Sequence, residues 1–80
     1  IAYEPVWSIG TGLIPNSNEL FETINFIKKN IKRYKVLYGG SVNPNNIYKL
    51  KSVQNIDGFL IGGASQDSKK FIDIIKKTFN

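Results

Sequence analysis

The residues that could do chemistry in this chain fall in three stretches. The first is Tyr3-Glu4-Pro5-Val6-Trp7-Ser8-Ile9-Gly10-Thr11-Gly12. It sets one carboxylate directly before a proline, which fixes its own φ and biases Glu4 toward extended backbone. Two glycines around Thr11 follow. A carboxylate therefore stands at the root of a loop that is stiff at its start and pliable at its tip, which suits a general base beneath a closing lid. The other stretches are Tyr38-Gly39-Gly40-Ser41-Val42 and Asp57-Gly58-Phe59-Leu60-Ile61-Gly62-Gly63-Ala64-Ser65. Each sets a glycine pair behind a short apolar run. Such a pair lets backbone N–H groups approach a ligand without interference from Cβ, and at the start of a helix those groups favour an anion. Gly62 and Gly63 fit this best. Taken singly the signals are weak. A lone Glu before Pro is ordinarily a solvated loop carboxylate, and a lone glycine pair is ordinarily a tight turn at positive φ.

These residues need elements to position them. Ile1 to Glu4 reads as a strand that begins at the first residue, with no Met or polar leader, as in a chain cut from something longer. The loop runs from Pro5 to Pro15. Asn16 and Glu19 have the spacing of a capping box. Leu20, Ile24, Ile27 and Ile31 then recur at helical spacing, with Phe21 joining that face and the helix ending near Arg33. Lys35 to Tyr38 is a second strand, stopped by Gly39-Gly40. Asn43 is an N-cap with Pro44 at the first helical position, and Ile47, Leu50 and Val53 supply the apolar face. Phe59 to Ile61 is a third strand, stopped by Gly62-Gly63, and Leu60 is core by default, with lining of a substrate pocket as the alternative. Ala64-Ser65 opens a short helical turn. Asp67 or Ser68 caps a last helix whose face is Phe71, Ile75 and Phe79, with Ile72 beside them. The order βαβαβα implies an α/β fold with a parallel sheet and right-handed crossovers. Leu37-Tyr38-Gly39-Gly40-Ser41 and Leu60-Ile61-Gly62-Gly63-Ala64-Ser65 form a weak internal repeat.

Composition narrows the options. Eighty residues allow one small domain, which at this size buries only about 60% of its unfolded surface. With no Cys there is no disulfide or thiolate metal site, and with no His the commonest general base and metal ligand is absent. The apolar runs are far short of a membrane span. The net charge of +5 reads as Lys and Arg on outer helix faces, since no recognised motif or interleaved aromatics mark a nucleic-acid surface.

Together, and in this order, the three stretches resemble the triosephosphate isomerase family. The resemblance covers essentially the whole chain but only about the last third of a (β/α)8 barrel of roughly 250 residues. It implies the last three β/α units of one barrel domain, left incomplete here. It also implies interconversion of dihydroxyacetone phosphate and D-glyceraldehyde 3-phosphate through an enediolate, in glycolysis and gluconeogenesis, without metal or cofactor. Glu4 would be the catalytic base. Gly10, Ser41, Gly62 and Gly63 would hold the substrate phosphate. Pro5-Val6-Trp7-Ser8-Ile9-Gly10-Thr11-Gly12-Leu13-Ile14-Pro15 would be the lid, with Trp7 packing at its hinge. Ser41 would hold the closed lid through the Gly12 N–H, and Tyr38 would act through an N–H in the second hinge.

The sequence departs from the family pattern twice. Leu13 stands where Lys or Arg is frequent, and the hinge donor expected for Tyr38 falls on Pro15, which has no N–H. Tyr38 must then close the lid another way or contribute less, and Tyr38→Phe should cost little. The family's partners for Glu4 (an electrophilic His, an Asn and a Lys) lie in earlier strands. The resemblance thus implies partners in an N-terminal part of the barrel, a cytoplasmic homodimer at full length, no nucleic-acid or membrane partner, and an inactive chain in isolation. A non-catalytic fragment or phosphate-binding βα module from a broken gene is the alternative.

Overall fold

The computed structural model describes residues 1–80. Three parallel strands form one sheet in the order β1 (Ala2–Tyr3), β2 (Leu37–Gly39), β3 (Gly58–Leu60). Ala2 pairs with Leu37 and Tyr3 with Tyr38; Leu37 pairs with Gly58 and Gly39 with Leu60. The connections carry α1 (Ser17–Asn30) and α2 (Ile47–Lys51). A 3₁₀ turn at Gly63–Gln66 and α3 (Ser68–Thr78) follow β3. No helix is long and apolar enough to cross a membrane.

Side chains alternate across a strand, and here the alternation separates two unlike faces. Tyr38 is fully buried, and Tyr3, Phe59 and Ile61 are partly buried beside it, on the face that meets the helices. All three helices add to the same core: Leu20 and Ile24 from α1, Ile47 and Leu50 from α2, Ile74 from α3. The opposite face carries Ala2, Glu4, Leu37 and Leu60. No helix covers it, and Leu60 is 45% exposed. Parallel sheets are ordinarily covered on both faces. The result is a slab of 37 × 27 × 19 Å with 5504 Å² of accessible surface, against about 4,900 Å² for a compact 9.0 kDa monomer.

Local chemistry sets the element ends. Asn16 caps α1, its Oδ1 accepting the Glu19 N–H at 2.9 Å. Asp67 caps α3 by accepting from Lys69 and Lys70 N–H. Asn43 caps a turn over residues 44–46 by accepting from Asn45 and Asn46, and α2 proper starts only at Ile47. Several expectations fail. α1 stops at Asn30, short of Arg33, because the Asn30 side chain donates to the Phe26 carbonyl while Ile31 leaves helical geometry. Ile31 and Phe21 are each 42% exposed, because the helix meets the sheet along a narrower stripe than its apolar residues span. In α3 the buried residue is Ile74; Ile72, Ile75 and Phe79 face outward with no element to cover them.

Asp57 ties β3 to β2 at the strands' amino ends. Its carboxylate accepts from the Val36 N–H at 2.8 Å and pairs with Lys28 at 2.9 Å, and its own N–H donates to the Val36 carbonyl. The Lys28 contact, then the Val36 N–H, hold its pKa below the ordinary carboxylate value.

Candidate active site

The carboxyl ends of the three strands open into one cleft of about 960 Å³. Glu4 enters it from the end of β1, Gly10 and Gly12 from the loop, Ser41 from the end of β2, and Gly62 and Gly63 from the end of β3. Residues as far apart in the chain as Glu4 and Gly63 thus share one surface. The charged lining residues are Glu4, Asp67 and Lys70, so this part of the cleft has no surplus of positive charge. No group of three or more His, Cys, Asp or Glu side chains comes together.

The loop over the cleft is closely bonded. Its ends, Pro5 and Pro15, are buried. Within it the Ser8 N–H donates to the Pro5 carbonyl, and the Ser8 carbonyl accepts from the Thr11 N–H and the Thr11 hydroxyl. The Leu13 N–H donates to Thr11 Oγ1. Two bonds tie the loop to the segment after β2. The Gly12 N–H donates to Ser41 Oγ at 2.9 Å, and Ser41 Oγ in turn donates to the Ser8 carbonyl. Ser41 is the one non-glycine residue at positive φ, +55°. Its carbonyl is held in that geometry by the Asn46 side chain at 2.7 Å and the Asn43 side chain at 3.3 Å. Backbone in this region costs energy and persists only where its surroundings fix it.

Glu4 depends on Gly39, a neighbour that its place in the glycine pair does not connect with the carboxylate. A Cβ on Gly39 would lie 3.0 Å from Glu4 Cγ, 3.2 Å from Glu4 Oε1 and 3.3 Å from Leu60 Cβ. The absence of a side chain at Gly39 is what lets the carboxylate lie across β2. Leu60, core by default with pocket lining as the alternative, follows the alternative and lines the cleft beside it, because the face it stands on has no covering layer. Trp7 is 52% exposed and so is not buried at the hinge.

Tyr38 meets the loop by another way than a second-hinge N–H, one of the two outcomes expected of it. Its ring is buried beneath the loop, tilted 57° against Tyr3 at 6.5 Å between centroids. Its hydroxyl donates to the Gly40 carbonyl at 2.9 Å and lies 3.2 Å from Ser8 Oγ. Burial pushes the phenol pKa up, against a smaller opposing effect of the Ser8 contact, so the group is neutral. Pro15 offers no N–H, as read, yet Tyr38 does reach the loop: through a side-chain hydroxyl in its first half. Sequence reasoning gave Ser8 no role. A small hydroxyl among apolar loop residues was the available signal, and its burial was not visible.

The glycine pairs are not simple positive-φ turns. Of the four residues only Gly40 has positive φ. The N–H groups of Gly10, Ser41, Gly62 and Gly63 make no hydrogen bond within the protein. Free N–H groups on a cleft wall are donors waiting for an acceptor.

A family model described as triosephosphate isomerase matches residues 1–78. The chain belongs to the triosephosphate isomerase family. It is 47% identical to triosephosphate isomerase of Dictyostelium discoideum and 42% identical to that of Thermodesulfovibrio yellowstonii, over 95% of this chain in each case. It is 44% identical to that of Wolbachia pipientis wMel over 96% of this chain. The alignments cover 33%, 34% and 32% of those relatives, so the chain spans about a third of their length. Three parallel β/α units with a cleft at the strands' carboxyl ends agree with a part of the triosephosphate isomerase barrel.

Proposed function

We propose that this segment is the last three β/α units of a triosephosphate isomerase and supplies its base, lid and phosphate cradle. The observation that carries the reading is the cleft itself: the Glu4 carboxylate shares its wall with four residues whose backbone N–H groups have no partner in the protein, beside a loop pinned by Ser41. In the proposed reaction Glu4 removes a proton from the carbon beside the triose phosphate carbonyl. The electron pair passes into the C–O system as an enediolate, the hydroxyl proton passes from one of its oxygens to the other, and the same carboxyl returns the carbon-bound proton to the neighbouring carbon. Atoms balance without a co-reactant. The Gly10, Ser41, Gly62 and Gly63 N–H groups hold the phosphate by directed dipoles rather than by net charge. The loop excludes water, which otherwise competes for each of these contacts.

This part of the molecule supplies no electrophile. The chain has no His, and Lys70 is the only cation on the cleft wall. A donor to the developing enediolate oxygen must come from the remainder of the barrel, which would also cover the bare sheet face. The test is Glu4→Gln in the complete polypeptide that carries these residues. Losing a general base lowers turnover by roughly 10²–10⁴-fold, and undiminished interconversion of the two triose phosphates would refute the assignment. Residues 1–80 alone should show no turnover above the Glu4→Gln control.

A further inference from the structure

Asn46 stands at the start of α2, where a side-chain oxygen ordinarily accepts from the helix's own first N–H groups. It makes no such bond. Its Oδ1 turns back to accept the Asn43 N–H at 2.9 Å, while Asn43 Oδ1 accepts the Asn46 N–H at 3.0 Å. With each oxygen taken, each side-chain amide has its Nδ2 left to give. Both meet one acceptor, the Ser41 carbonyl, Asn46 at 2.7 Å and Asn43 at 3.3 Å. A carbonyl has two lone pairs, and this one uses both. A helix cap is forgone to grip a residue five positions earlier.

The gripped residue is the one held at φ +55°. A planar peptide leaves a residue two soft dihedrals, and these fix the relative directions of its N–H, its side chain and its carbonyl. At Ser41 the asparagines hold the carbonyl. The hydroxyl accepts from the Gly12 N–H and donates to the Ser8 carbonyl. The N–H has no partner in the protein. Left-handed backbone is costly for any residue with a Cβ. Released from the grip, Ser41 would leave it, and its N–H and hydroxyl would change direction relative to each other. Asn43 lines the cleft and Asn46 does not, so Asn46 can be changed without removing a group from the cleft wall.

We propose that Asn46 is a positioning residue that holds Ser41 in left-handed backbone, and that through this one residue it sets phosphate affinity and loop closure together. The proposal rests on the reading above, in which the Ser41 N–H is a phosphate donor. Asn46 touches no substrate. It acts on the anion through the Ser41 N–H and on the loop through the Ser41 hydroxyl. Closed loop and bound anion then favour the same Ser41 backbone, so each strengthens the other by the same factor.

The experiment uses the complete polypeptide with Asn46→Ala, Asn46→Asp, Ser41→Ala and the Asn46→Ala/Ser41→Ala double variant. Asn46→Asp keeps the acceptor for the Asn43 N–H and loses the donor to Ser41, so it remains informative where the alanine variant folds poorly. The readouts are affinity for inorganic phosphate and the exchange rate of the Gly12 amide. In both Asn46 variants phosphate should bind about 3–10-fold more weakly, the worth of one hydrogen bond, and Gly12 should exchange faster by a similar factor. Ser41→Ala removes the hydroxyl that holds the loop. Adding Asn46→Ala to it should leave Gly12 exchange within about twofold, while phosphate binding weakens by about the same 3–10-fold as before. A merely structural Asn46 would move Gly12 whether or not the Ser41 hydroxyl is present. Unchanged phosphate affinity or unchanged Gly12 exchange in both Asn46 variants overturns the proposal, and so does a Gly12 effect that multiplies in the double variant. Failure of the parent reading looks different: the unaltered polypeptide would then not bind inorganic phosphate, and Glu4→Gln would leave turnover intact.

Discussion

Gly39-Gly40 and Gly62-Gly63 look alike in sequence: each ends a short apolar strand and each is followed within two residues by a serine. They do opposite things. The first pair is pressed against protein, Gly39 by Glu4 and Leu60, Gly40 by Ser8 and Tyr38. The second pair has nothing within 4 Å of either would-be Cβ and offers free N–H groups to a cleft. One pair is glycine because the interior is full, the other because something else is to arrive. The lesson is that a missing side chain can serve the fold or the ligand, and only its surroundings tell which.

Substitutions at these positions can break the comparison. Gly39→Ala should have the largest effect. It pushes the Glu4 carboxylate aside, and misplacement by about 1 Å can cost roughly 10²-fold in rate. Steady-state kinetics should put that loss in kcat, and normal turnover in this variant would mean the contact is slack. Gly40→Ala comes next. A Cβ at φ +135° that also overlaps the Ser8 and Tyr38 hydroxyls should cost about 2–4 kcal/mol, seen as a lower midpoint in urea. Gly63→Ala should leave that midpoint within about 0.5 kcal/mol of the parent. Titration with inorganic phosphate should nevertheless show about 3–10-fold weaker binding, one directed contact's worth. A variant that unfolds instead would show that the second pair is structural after all.

The smallest expected effect lies at the other end of the same strand. Asp57 is held ionised by Lys28 and the Val36 N–H, so its folded pKa lies below the ordinary 3.8. The unfolded chain binds the proton more readily. Its stabilising contribution is therefore present above about pH 4 and fades as pH falls from there through the folded pKa. Partial exposure of the pair keeps it small. Urea midpoints of the parent and Asp57→Asn, measured from pH 7 down to pH 3, should converge at the acid end.

The parts of this molecule legible in sequence are those written by neighbours along the chain. Asn16 and Asp67 cap helices because the orphan N–H groups they bind lie two or three residues away. The strand order follows from the alternation of strands and helices. Glu4, Ser41 and the glycines were expected together from a resemblance, and they do line one cleft. What was not legible depends on contacts across the sheet. Nothing near Gly39 in sequence mentions Glu4, 35 positions earlier (residues 4 and 39). Ser8 became a partner of Tyr38 only once the loop folded down. Leu60 looked like core because its type suits a core, but its strand exposes that face. Ile74 could have been found from Phe71, three positions before it on the same helix, had the face not been drawn through Phe79.

Ser41 commits both its hydroxyl and its carbonyl to neighbours elsewhere in the chain. Its hydroxyl serves the loop at Gly12 and Ser8, its carbonyl is gripped by Asn46 and Asn43, and its N–H is left without a partner in the protein. It is a junction, and change at a junction is not local. A substitution at Asn46, which does not itself line the cleft, would loosen the Ser41 carbonyl and so retune loop and anion site together. The room for neutral drift around this cleft is therefore narrower than its lining suggests, and the residues that mark its limits stand one step back from the surface a ligand would meet.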